Sequence, residues 1–176
     1  MVKTELETLA NDELIRHKQG AVSGWMLLPA GRALGEALLA AELNESGKRA
    51  ELESAYARFL EQNQPFLALC TDWQTRKVDG ELVRNDHADP DHDASVLERL
   101  TAVEASMRPL WADLGQLLER FDSYATRFAT AHKRLADGDL DWFTSPMVDS
   151  YHTVWFELHE DLLASLGIER AKEVHT

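Results

Sequence analysis

Sulfur chemistry is nearly missing from this chain of 176 residues: Cys70 is the lone cysteine, so no internal disulfide can form. Long apolar runs are missing too. None approaches the roughly 18 to 20 residues of a membrane span, and the opening MVKTELETLA lacks the apolar centre of a secretory signal. By elimination, a cytoplasmic protein with no membrane partner is expected. Positive charge is scarce, with 18 Lys and Arg against 31 Asp and Glu, a formal net charge of -13 and a pI near 4.9. Such a molecule repels phosphate backbones, which excludes bulk coating of nucleic acid. The chain contains no Gly-rich phosphate loop, nucleophile elbow, paired CxxC or HExxH. No catalytic residue set and no cofactor are therefore expected, and an enzyme is disfavoured. No repeat of 20 to 50 residues is evident.

What the chain has is helical periodicity. A hydrophobic content of 44%, a charged content of 28% and five Trp belong to a folded globular protein. From Pro146 to Gly167, Val148, Tyr151, Val154, Trp155, Leu158, Leu162 and Leu166 recur at helical steps, which predicts one long amphipathic helix opened by the proline. Its apolar stripe needs other helices to cover it. These are expected at 33–43, from Lys48 to Asn63, from Pro65 through Trp73, from Ala94 to Met107, after Pro109 through Phe121, and from Tyr124 to Leu135, ended by the Asp137-Gly138-Asp139 turn. Val78 to Asp93 reads as one polar surface loop, with Asp93 capping the next helix, and nothing after Gly35 alternates like a strand.

The first 35 residues differ. Val2 to Asn11 places Val2, Leu6, Leu9 and Ala10 on one helical face; Leu14 to Leu28 suits a hairpin turning around Gly20 to Gly24; Pro29 starts a new helix. This order, with Leu6, Leu9, Leu14, Ile15 and Arg16 followed by Trp25, Leu27, Leu28, Pro29, Ala30, Gly31 and Arg32, resembles the second half of a winged-helix domain of MarR- or PadR-type transcriptional regulators. The body, through Cys70 to Gln74, Asn85 to His87 and Asp149 to Leu162, looks similar to uncharacterised actinobacterial regulator-like proteins. The resemblance implies a mainly α fold in two parts: a partial winged helix at 1–35, truncated because the bracing helices that precede the recognition helix have no counterpart, and a multi-helix bundle at 36–176 serving dimerisation or ligand sensing. It implies a transcriptional regulator, homodimeric, with DNA as a weak partner and a small molecule as effector. The alternative is a helical ligand-binding or interaction domain that never meets DNA.

Charge distribution marks the same boundary. Between Leu14 and Gly35 stand Arg16, Lys18 and Arg32 with no acid, whereas the chain from Glu36 on carries 14 Lys and Arg against 27 Asp and Glu, which is -13. Arg16, His17, Lys18 and Arg32 are the candidate DNA-contacting residues of the wing; an ordinary exposed hairpin without acids is the competing reading.

In the body, Asn85 to Asp93 gathers four Asp and two His in nine residues, enough ligands for a divalent cation, though in no named metal spacing. The competing reading is a solvated turn that caps a helix. His152 and His159 lie about 10.5 Å apart along a helix, so neither shares a metal with the other unaided. With His87, His92 and His132 they are the candidate ligand- or metal-binding residues, the metal unspecified. A third reading joins them to the Asn85–Asp93 loop in a metal-dependent enzyme. Trp73, Trp111, Trp142 and Trp155 are expected in or against the core, and Cys70 as an inert hydrophobe.

Overall fold

The computed structural model describes residues 2–20 and 23–170. It is mainly helical, with two short β-hairpins, and divides into two compact units: Met1–Gly47 with Leu163–Thr176, and Lys48–Leu162. The first division falls at Gly47 rather than Gly35, because the helix that begins at Pro29 runs on without a break to Ser46.

In the first unit, helix α1 (Val2–Asn11) leads into strand β1 (Ile15–Lys18), which pairs antiparallel with β2 (Gly24–Leu27), and helix α2 (Pro29–Ser46) follows. Residues 21 and 22 of the expected turn lie outside the described residues. Helix α1 closes with two carbonyls capped in turn: Leu14 N–H donates to the Leu9 carbonyl and Glu13 N–H to that of Ala10, with Glu13 in the left-handed region at φ 57°. Leu14 then accepts from Leu28 N–H at 2.9 Å, which ties the two ends of the hairpin. Gly31 sits directly on that carbonyl, where an added Cβ would lie 2.0 Å from the oxygen. Glycine is required there for close approach rather than for dihedral freedom.

The second unit is built on helices α3 (Arg49–Gln74), α4 (Pro90–Leu117), α5 (Asp122–Ala136) and the body of α7 (Tyr151–Leu166), with a 3₁₀ turn at Glu119–Phe121 and a short α6 (Asp141–Thr144). Helix α3 packs on α4, and α4 on α5. Their apolar faces meet in an aromatic core in which Phe66 stacks on Trp155 at 4.2 Å, Trp111 on Phe128 at 4.4 Å, and Phe128 meets Tyr151 at 4.8 Å. Trp155 donates its indole N–H to Asn63 at 2.9 Å and the Tyr151 hydroxyl donates to Glu104 at 2.8 Å, whereas the buried indole N–H of Trp111 has no partner among the described residues.

Five expectations are corrected. Pro65 and Pro109 do not open helices; each lies inside one, in α3 and α4. A proline interior to a helix costs ~3 kcal/mol, and here buried residues on both sides of each proline, Phe59 and Phe66, Met107 and Leu110, hold the helix through it. The C-terminal helix begins at Tyr151, not Pro146: Ser150 accepts from Thr153 N–H at 3.2 Å and caps it. Val78 to Asp93 is not a single loop. Strands β3 (Thr75–Val78) and β4 (Glu81–Arg84) form a hairpin across Asp79-Gly80, whose φ values of 53° and 88° suit a tight primed turn, and α4 already begins at Pro90. Its N-cap is Asp89, accepting from His92 N–H at 3.1 Å, so Asp93 is released from capping for another use.

Candidate functional site

Helix α3 ends at Gln74 and runs straight into β3, so β4 brings Asn85 back beside the end of α3: Asn85 N–H donates to the Gln74 carbonyl at 2.8 Å. The Asn85 side chain is buried and fully engaged. Its amide donates to the Trp73 carbonyl at 3.0 Å and to Asp93 Oδ1 at 2.8 Å, and its oxygen accepts from His87 N–H at 3.1 Å. That last bond holds His87 at φ 58°, a conformation a non-glycine residue keeps only when its surroundings over-determine it.

The imidazole is fixed on two sides. His87 Nδ1 lies 2.9 Å from Asp93 Oδ2, and its ring rests against Trp73 with centroids 4.6 Å apart. The Asp93 carboxylate can only accept, which assigns the Nδ1 proton to that bond and leaves Nε2 without a partner among the described residues. Asp86, one residue earlier, accepts from Ala88 N–H and from Arg76, and these bonds hold its carboxyl below the ordinary value.

His87 and Asn85 line a cleft of about 690 Å³, inside the range of ~300–1,000 Å³ usual for small-molecule sites. One wall is the β3–β4 hairpin, with Leu82, Val83 and Arg84; the other is α6 and the residues after it, with Leu140, Asp141 and Ser145. Trp73 lines it as well. Its ring is 3% exposed and pinned by Phe143 at 4.9 Å, and its indole N–H has no partner among the described residues.

The other candidate histidines are not brought to this site as ligands. His92 contacts the Asp72 carbonyl through Nε2 at 2.8 Å, and His132 contacts the Thr101 hydroxyl at 3.0 Å. His152 is half-buried against Phe66, and burial pushes its pKa below the ordinary value. His159 is buried beside Tyr56 and Phe59. Carboxylates on and near the same helix serve arginines: Glu157 and Asp149 take Arg127, and Asp161 takes Arg120 and the Tyr124 hydroxyl. Among the described residues no group of three or more His, Cys, Asp or Glu is placed to hold a metal ion. Cys70 is buried, and burial pushes its thiol up to about 12, which keeps it protonated and unreactive.

On the N-terminal hairpin, Arg16, His17 and Lys18 follow one another along β1 and are exposed, and Arg32 is exposed in the first turn of α2. Arg16 touches the Met26 sulfur at 3.8 Å, and His17 meets Trp25 edge-on at 5.0 Å. Among the described residues none of Arg16, Lys18 and Arg32 is in an ion pair. No helix is long and apolar enough to cross a membrane among the described residues.

Sequence reasoning put His87 in a candidate cation-binding loop from Asn85 to Asp93 but did not join Asn85, Asp93 and Arg84, or Asp141, to it in one cleft. The signal that finds the first three is the Asp79-Gly80 pair between TRKV and ELVR, which marks a hairpin that returns the chain to Trp73.

No protein-family model, no curated protein and no solved structure matches this chain.

Proposed function

We propose that this is a regulator-like protein in which the helix–hairpin–helix unit meets the DNA backbone and the helical body binds a small-molecule effector. The observation that carries the DNA half is the cationic hairpin: Arg16, Lys18 and Arg32 are solvent-exposed and unpaired among the described residues, in a chain whose net charge is -13. Three cations make at most about three phosphate contacts, so the logarithm of affinity falls with the logarithm of salt at a slope no steeper than about -2.7, or roughly 40-fold between 50 and 200 mM. Fluorescence polarisation against duplex DNA at those two salt concentrations tests this. Binding with that modest slope, weakened by the R16Q/K18Q double variant, supports the reading; no binding at micromolar protein sinks it.

The reading takes the protein as a homodimer, and Leu34 and Leu38, one turn apart on α2 and 44% and 62% exposed, are apolar surface suited to a second copy. Sedimentation velocity measures this. The second reading, a helical ligand-binding protein that never contacts DNA, is favoured by the cleft, which needs nothing from the hairpin unit to be complete.

A further inference from the structure

We infer that the cleft beside His87 takes a zwitterionic ligand of the α-amino-acid type, a short peptide with free ends, its carboxylate on Arg84 and its ammonium on Asp141. The inference rests on the body being a ligand-binding unit and is independent of whether the hairpin meets DNA.

Arg84 ends β4 on one wall, and Asp141 begins α6 on the other. Neither is in an ion pair or a side-chain hydrogen bond among the described residues, and no other Lys, Arg, Asp or Glu among the described residues lines the cleft. One unpaired charge of each sign on opposite walls of one cleft suits a molecule that carries both. A single anion would leave Asp141 opposing it, and a single cation would meet Arg84.

Between the two charges the lining is apolar and aromatic. Leu82, Val83 and Leu140 are each more than a third exposed and line the cleft, which gives aliphatic side chains a surface to cover. Trp73 lines the cleft and its indole N–H, which has no partner among the described residues, suits a peptide carbonyl, while His87 Nε2, with its other nitrogen held by Asp93, supplies an acceptor, suited to a peptide N–H. A backbone amide is the common group that offers both partners at once. The volume of about 690 Å³ leaves room for more than one residue.

Isothermal titration calorimetry on the full chain with the tripeptide Ala-Leu-Ala, its N-acetylated form and its C-terminal amide gives the test. Free tripeptide should bind, and each cap should weaken binding roughly tenfold, the scale of one charged hydrogen bond. The R84Q variant should lose the preference for the free carboxylate and keep that for the free amine; D141N should do the reverse. Both residues are exposed, so circular dichroism of the variants should be unchanged. No heat with any of the three peptides at millimolar concentration overturns the inference, as does equal affinity for all three, or variants that leave both preferences intact. None of these outcomes alters the polarisation titration with DNA, so the two readings fail separately.

Discussion

Glu13 ends α1 at φ 57°, where its Cβ crowds the following carbonyl and glycine would not. The left-handed region costs a non-glycine residue ~1–2 kcal/mol, and glycine gives back part of that through the looser unfolded chain. Glu13→Gly should therefore raise the stability of the first unit by roughly 0.5–1 kcal/mol, read as slower hydrogen exchange along α1 and β1. His152 makes an opposite kind of prediction, because its strain is electrostatic. Burial lowers its folded pKa below the ordinary 6.5, so the unfolded chain takes the proton first as pH falls. Its neutral form costs nothing above about pH 6.5, and stability drops as pH is lowered through that value toward the folded pKa. Urea melts of the wild type and His152→Gln at pH 8 and pH 5.5 should differ in slope, the variant losing less on acidification. A variant that tracks the wild type would place the acid sensitivity elsewhere.

Elements carry the next two predictions. Gly31 in α2 lies so close to the Leu14 carbonyl that a methyl group there forces the hairpin and α2 apart, since the obstacle is backbone and not a side chain that can rotate. Gly31→Ala should cost about 2–3 kcal/mol despite alanine's better helix propensity, a sign reversal visible in thermal melts monitored by Trp25 fluorescence. Pro109 is the reverse case. It is exposed, it interrupts the hydrogen-bond ladder of α4, and its neighbours Leu110 and Trp111 are buried already. Pro109→Ala should stabilise by about 1–3 kcal/mol, measured by chemical denaturation. These elements were legible to different degrees. Helix α1 and the first hairpin could be read from periodicity and turn residues because their signals are local. The continuity of α3 and α4 could not, because a proline writes a stop into the sequence and only packing on both sides overrules it. The second hairpin was hidden for a third reason: Asp, Asn and Gly around it resemble loop composition, and its strands are four residues each, too short for alternation to stand out.

At the scale of the whole molecule, charge and topology decide what the sequence hides. The cleft joins His87 to Asp141 and Ser145, more than fifty positions apart in the chain, through a hairpin and a short helix whose placement no local pattern encodes. Net charge, by contrast, is read directly, and it sets the last prediction. With 31 acids against 18 bases, the carboxylates that find an arginine, such as Asp149 and Glu157 on Arg127 or Asp113 on Arg58, leave a large unneutralised excess. Added salt acts on both populations. It weakens the exposed pairs, each contributing ~0.2–1 kcal/mol, and it screens the mutual repulsion of the excess, which extends over the ~10 Å Debye length at 0.1 M. Pairs of this exposure lose only part of a small term, whereas the repulsion sums over every uncompensated carboxylate, so screening the repulsion wins. Raising NaCl from 20 to 500 mM should stabilise the chain by about 1 kcal/mol, a rise of roughly 2–4 °C in Tm for a protein of this size. Sodium sulfate would confuse this with its effect on apolar burial, so chloride is the salt to use. A Tm that falls instead would mean that the arginine-centred clusters at Arg120 and Arg127 outweigh the excess, and those two residues would then be the first to substitute.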